Sequence, residues 1–230
     1  MRSFIFVLAF LITKLISAQT EKGAVVLEGN TSISFGSLKV NSLHNIFAYE
    51  SGLPNNSLKN TSFSFNAGYF IIDKLSINLS INHNYDIVNY NSSIYCDGED
   101  SYLSYGIFGR YYINNLWLWV QAGYKIGQLS DYSFLENANY AWSANSIAPL
   151  ATEQNGSTTV PINTFLLDFG FSFFISPSIS IDPTIGATKT TWLMQNIAFI
   201  NEAGEATDSF DLGIKSVQFK LTVGLILHLQ

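Results

Sequence analysis

Hydrophobic and polar residues alternate with period two along most of this chain. In 164–175, Phe165, Leu167, Phe169, Phe171, Phe173 and Ile175 share one face, while Thr164, Leu166, Asp168, Gly170, Ser172 and Phe174 share the other. Val217, Phe219, Leu221, Val223, Leu225, Leu227 and Leu229 alternate with Gln218, Lys220, Thr222, Gly224, Ile226 and His228. Leu75, Ile77, Leu79 and Ile81 alternate with Ser76, Asn78, Ser80 and Asn82, and a like pattern runs through 62–71. Such alternation marks strands of a sheet with one apolar face. No long window shows the i, i+3, i+4, i+7 spacing of an amphipathic helix, and no later segment has 18 continuous apolar residues.

The pattern predicts eight strands, at about 24–37, 61–72, 75–85, 101–113, 116–128, 162–175, 179–189 and 214–229. Their connections alternate in length. Asp73-Lys74, Asn114-Asn115 and Ser176-Pro177-Ser178 read as tight turns. The other four connections, about 38–60, 86–100, 129–161 and 190–213, are long. In an eight-stranded antiparallel up-and-down barrel, every short turn then lies at one end with both termini, and every long loop at the other. Bacterial outer-membrane barrels have this layout, with short periplasmic turns and longer extracellular loops.

Alternation alone does not say which face points out, because a secreted lipocalin-like barrel also has one apolar and one polar face. Composition bears on this. Of 230 residues, 47% are hydrophobic, 15% aromatic and only 12% charged. The polar face is Ser, Asn, Thr, Gly and Gln, whereas a solvated surface carries roughly a quarter to a third charged residues. Small neutral polar groups suit a crowded lumen. Aromatics also gather at the strand ends of the apolar face: Tyr69, Tyr111 and Phe173 near short turns, and Phe35, Phe63, Tyr85, Tyr105, Tyr124 and Phe165 near long loops. Two such girdles fit two membrane interfaces. The expected fold is therefore a transmembrane barrel with its apolar face outward. The register of Leu116-Trp117-Leu118-Trp119-Val120 stays open, because both faces are apolar there.

Residues 1–18 read as a signal peptide: Arg2, an apolar run over 4–12, Lys14, then Ile16-Ser17-Ala18 before the expected cut. The apolar run is too short to span a bilayer as a helix. Residues 19–230 would form the barrel domain, exported to the outer membrane. With 11 Lys+Arg against 17 Asp+Glu, the chain carries a net charge of −6, which argues against nucleic-acid binding. A single cysteine, Cys96, excludes a disulfide scaffold and any multi-cysteine zinc site.

The chain resembles the small outer-membrane β-barrel proteins common in Bacteroidota. The resemblance rests on Gly23-Ala24-Val25-Val26-Leu27-Glu28-Gly29, Gly68-Tyr69-Phe70-Ile71-Ile72-Asp73-Lys74-Leu75, Gly106-Ile107-Phe108-Gly109-Arg110-Tyr111-Tyr112 and the closing Gly224-Leu225-Ile226-Leu227. These motifs are degenerate and imply fold and compartment rather than activity. Such barrels often end in an aromatic residue read by the assembly machinery, whereas this one ends Leu229-Gln230.

Chemistry could reside in the lumen or the loops. By parity the lumen charges are Glu28, Arg110, Lys125, Asp168, Asp182 and Lys220. Their heights predict two structural ionic layers: Arg110 with Glu28 or Asp182, and Asp168 with Lys125 or Lys220. Buried charges must pair, and an eight-stranded lumen is only wide enough for side chains to fill it. Some barrel lipid A deacylases use a membrane-facing His with a Ser two positions on. Here His83 is followed by Tyr85, and no motif unites His44 or His228 with a nucleophile, so no catalytic set, cofactor or metal site is expected. Twelve of the 17 acidic residues fall in the expected loops: Glu50, Asp86, Asp97, Glu99, Asp100, Asp131, Glu136, Glu153, Glu202, Glu205, Asp208 and Asp211. Asp97-Gly98-Glu99-Asp100 lacks the spacing of an EF-hand loop. Loop 129–161 holds Tyr132, Phe134, Tyr140 and Trp142, candidate contacts for a partner. Expected partners are the bilayer, lipopolysaccharide and the assembly machinery, for a chain acting as a monomer. Two function readings follow: a non-enzymatic barrel presenting its loops for surface interaction, adhesion or envelope integrity, or a narrow channel or membrane component of a transport complex. A secreted binding barrel is the third.

Overall fold

The structure is a computed structural model that describes residues 20–42, 56–89, 98–113, 117–129, 150–152, 160–200 and 206–229. These form strands β1 (Val25–Ser42), β2 (Asn56–Ile72), β3 (Leu75–Asn89), β4 (Gly98–Tyr112), β5 (Leu118–Leu129), β6 (Leu150–Thr152), β7 (Val160–Phe171), β8 (Phe173–Ser176), β9 (Ile179–Ile200) and β10 (Ala206–Leu229). No helix is found among the described residues. The order β1-β2-β3-β4-β5-β7-β9-β10 is antiparallel throughout, and β10 pairs back onto β1 from Val25↔Leu229 to Ser42↔Leu212. The sheet thus closes into an eight-stave up-and-down barrel. β7 and β8 make one stave, interrupted at Ser172, whose backbone N–H donates to Trp117 O at 2.7 Å. β6 is a short addition beside the far end of β9.

Side chains sort by parity. On β1, β2, β3, β4, β7, β9 and β10 the odd-numbered positions face out, and on β5 the even-numbered ones do. Outside stand Phe63, Leu79, Ile107, Ile126, Phe169, Ile185 and Val223, each more than half exposed. Inside lie Asn30, Ser34, Asn66, Asn78, Ser80, Asn82, Ser104 and Thr184, all buried. The apolar face therefore points outward, as its small neutral polar counterpart implied. The segment left open resolves here: Trp119 points inward and is 1% exposed, while Trp117 and Leu118 point out.

Strand ends differ from the sequence reading at the end opposite the short turns. The connection expected over 190–213 is mostly ladder, because β9 runs to Ile200 and β10 starts at Ala206, with register shifts near Asp208 and Leu212. β1, β2, β3 and β4 also continue past the apolar belt. Asp86, Glu99, Asp100, Asp208 and Asp211, expected in loops, are strand residues. The reason is that backbone pairing persists where side-chain alternation weakens. Once two staves are in register, each further residue adds ladder hydrogen bonds whatever its polarity.

Inward glycines let neighbouring staves place large groups in the lumen. A Cβ on Gly170 would stand 2.0 Å from the Trp119 ring, and one on Gly186 would stand 1.9 Å from Asp168 Oδ1. Alternating small and large residues is how a narrow barrel fills its taper. Gly170→Val should cost about 1–3 kcal/mol, because the indole is held by hydrogen bonding and cannot yield. The urea midpoint of the refolded barrel checks this, and an unchanged midpoint would show that Trp119 is free to move.

Candidate functional site

The candidate site is the lumen, which is layered along the barrel axis. At the short-turn end Ala24, Val26, Phe70, Tyr112, Trp119 and Ile226 form an apolar cluster inside the barrel. Phe70 and Tyr112 stack with ring centroids 5.7 Å apart. All six are buried, and Tyr112 Oη within the cluster has no hydrogen-bond partner among the described residues.

Arg110 lies directly above, 1% exposed. Its Nη2 donates to Glu28 Oε1 at 2.9 Å and Oε2 at 2.8 Å, and its Nε donates to Gln121 Oε1 at 3.0 Å. Asp182 Oδ2 stands 3.8 Å from Nη1. The guanidinium carbon sits 4.0 Å from the centroid of the Trp119 ring. A planar fork is the group best suited to a carboxylate and an aromatic face at once. Asp182 accepts from Trp119 Nε1 at 2.9 Å, Ser172 Oγ at 2.7 Å and Ser180 Oγ at 2.8 Å. Glu28 also accepts from Asn66 Nδ2 at 3.1 Å. Arg110 thus meets both carboxylates that the sequence had offered as alternatives.

A second layer centres on Asp168. Lys220 Nζ and Gln121 Nε2 both donate to Asp168 Oδ2 at 2.7 Å, so Gln121 joins the two layers. Lys125, the other candidate for Asp168, instead donates to Asn82 Oδ1 at 2.7 Å. The six predicted residues balance formally, three cations against three carboxylates. Gln121, Trp119 and Asn82 were missed, although the inward parity of β3 and β5 carries the signal for Gln121 and Asn82. Trp119 lay in the doubly apolar segment.

Around and above these layers a polar cavity of about 60 Å³ extends past Lys220 to Ser34 and Gln218, which are hydrogen bonded to each other. It has room for on the order of a few waters. Asn30 Oδ1, Asn66 Oδ1, Asp168 Oδ1 and Thr222 Oγ1 are buried, without a protein partner among the described residues, and belong to its lining residues. Farther along, Asp86 and Asp100 lie opposite each other in register, both buried, and Asn60 Nδ2 donates to Asp86 Oδ1 at 2.5 Å.

Little of this is arranged for reaction. His228 Nε2 lies 3.1 Å from Ser180 Oγ, which donates to Asp182. The hydroxyl therefore stands between imidazole and carboxylate, whereas nucleophilic catalysis needs the imidazole in the middle. All three residues are buried. His83 faces outward, and Tyr85 beside it donates its hydroxyl to Glu99. No group of three or more His, Cys, Asp and Glu residues suited to a metal ion occurs among the described residues. Tyr132, Phe134, Tyr140 and Trp142 lie outside the described residues, as do His44 and Cys96.

Removing one member of a buried ion pair costs about 3–5 kcal/mol, because the partner charge stays behind. Arg110→Met should lower barrel stability by that order. Adding Glu28→Gln should recover part of it, and chemical denaturation in vesicles reads both. Additive losses would show that Arg110 and Glu28 are energetically independent.

No protein-family model matches the chain, and neither does any curated protein sequence. Solved structures similar to it include the outer membrane protein OprG from Pseudomonas aeruginosa, at 12% identity and TM-score 0.46, covering 92% of this chain and 99% of that one. Neisserial surface protein A is similar at 12% identity and TM-score 0.43, covering 90% and 99%. The outer membrane protein AlkL, solved in lipid bilayers, is similar at 14% identity and TM-score 0.43, covering 91% and 92%.

Proposed function

We propose that this chain is an integral outer-membrane barrel without enzymatic activity, exported by a signal peptide over residues 1–18, with residues 19–230 as the mature barrel. In this reading its sealed lumen is structural. The connections at the end opposite the short turns serve surface interaction, adhesion or envelope integrity, with Tyr132, Phe134, Tyr140 and Trp142 of 129–161 as contacts. The bilayer, lipopolysaccharide and the assembly machinery are its partners, and it acts as a monomer.

The observation that carries the reading is the inversion of the barrel. Its outer wall is a continuous belt of exposed Phe, Leu, Ile and Val, and its interior is Ser, Asn, Thr and paired charge. Soluble proteins rarely expose apolar patches beyond a few hundred Å². A lipocalin-like barrel would have the opposite arrangement. The girdles fit the same picture: Tyr69, Tyr111 and Phe173 ring one end and Phe35, Phe63, Tyr105 and Phe165 the other, all exposed. The buried Ser180–His228 contact and the lack of a Ser beside His83 weigh against a catalytic role.

The transport reading rests on the polar cavity, and the Arg110 layer with the apolar cluster beneath it opposes passage. Purified wild-type barrel should be silent in planar bilayers, and steady unitary currents would revive the channel.

Leu79 is 64% exposed near the middle of the belt. Leu79→Arg should cost about 2–4 kcal/mol if the belt meets lipid. The variant should lose most of its heat-modifiable mobility on denaturing gels and its yield in outer-membrane fractions. A soluble barrel would tolerate the substitution, and full retention of the folded band would defeat the membrane reading.

A further inference from the structure

Among the described side chains, the outward-facing lysines on the staves are confined to one side. Among the strand residues whose side chains are described, Lys59 on β2, Lys189 on β9, Lys215 on β10 and Glu99 on β4 are charged and exposed. The three lysines are exposed and lie on the contiguous run β2-β1-β10-β9. Lys189 is opposite Val217 and so diagonal to Lys215, while Lys59 is opposite Phe35. No described carboxylate forms an ion pair with Lys59, Lys189 or Lys215. Among the described side chains, the opposite wall has only Glu99, of the other sign.

Height and surroundings give this cluster a meaning. Lys189 lies ten positions up its stave from Ile179. At about 3.3 Å per residue and a tilt of about 40°, that is roughly 25 Å, the outer edge of an apolar band of the same height. Nearer the short turns, an apolar groove of about 820 Å³ crosses β1, β10, β9, β7 and β5, lined by Ile33, Phe35, Phe169, Ile185, Leu221 and Val223 among others. Phe35 at its top is opposite Lys59, and Ile185 is one pleat repeat below Ala187 and two below Lys189.

The geometry points to a binding site for one phosphate-bearing, multiply acylated lipid of the outer leaflet. Its acyl chains lie in the groove below Phe35, and its phosphates sit among Lys59, Lys189 and Lys215. This inference rests on the membrane reading above and adds the lipid class that the wall selects. Ammonium groups favour anions near a membrane surface, and they are displayed where a headgroup would sit rather than in the belt or the lumen. A neutral zwitterionic lipid would leave the lysine cluster uncompensated.

The test uses the full barrel refolded into phosphatidylcholine vesicles that carry a minor fraction of a phosphorylated, multiply acylated disaccharide lipid. Lipid retained after detergent extraction is measured by native mass spectrometry, with heat-modifiable mobility recorded on the same samples. Lys59→Gln/Lys189→Gln/Lys215→Gln should reduce retention of the phosphorylated lipid by about 100-fold, and each single variant by about fivefold. Lys22→Gln, at the short-turn end, should change nothing. Val223→Trp, which fills the groove, should lower retention with all lysines in place. Equal retention by wild type and triple variant overturns the site. So does equal retention of the dephosphorylated lipid, full displacement by inorganic phosphate, or a cross-linked second copy of the chain on this face. Loss of heat-modifiable mobility in the wild type would refute the membrane reading itself, which separates the two failures.

Discussion

Closure of the sheet is the constraint on which everything else depends. A strand in hydrocarbon cannot leave its backbone N–H and C=O groups unpaired, because each unsatisfied group costs several kcal/mol. The β1–β10 ladder, from Val25↔Leu229 to Ser42↔Leu212, removes the last two edges. Once it forms, the side chains have only two environments, wall and lumen, and period two assigns each residue to one of them. The apolar belt, the polar interior and the position of both termini beside the short turns all follow.

Closure at eight staves also dictates the lumen. The interior is too narrow for a column of water and too polar to collapse as a dry core, so it must be filled by side chains that satisfy one another. The structure does this in graded fashion. An apolar cluster seals the short-turn end, Arg110 binds Glu28 beside Asp182, and Gln121 passes the network to Asp168 and Lys220. Glycines at 170 and 186 provide the room that Trp119 and Asp168 occupy. Such a network favours one packing, although Arg110 Nη1 and Asp168 Oδ1 are buried without a hydrogen-bond partner among the described residues.

How legible this was depended on amplitude of contrast. Where Phe and Leu alternate with Ser and Asn, as in 62–71 or 164–175, face and register could be read directly. At the rim the contrast fades, and Asp86 and Asp100 looked like loop residues although the ladder carries them into the barrel. The doubly apolar Trp117-Leu118-Trp119 stretch carries no parity signal, and only the needs of Asp182 and Arg110 decide which indole turns in. Parity assigns the six charges to one face of the wall. It could not choose among partners, because Lys125 and Lys220 approach Asp168 from different staves. Circumferential distance is a property of the closed cylinder, absent from any one strand.

In the membrane reading proposed above, the exposed lysines would give the barrel a heading. A cylinder of lipid-facing aliphatics would be free to rotate among its neighbours with no preferred heading. Among the described side chains, the outward lysines stand on β2, β10 and β9, and β4 on the other side carries the outward carboxylate Glu99. The molecule therefore has an azimuth, a front and a back around the membrane normal. In a crowded bilayer, where adjacent proteins share a single annulus of lipid, that heading determines which side borders anionic headgroups and which side is left for other neighbours.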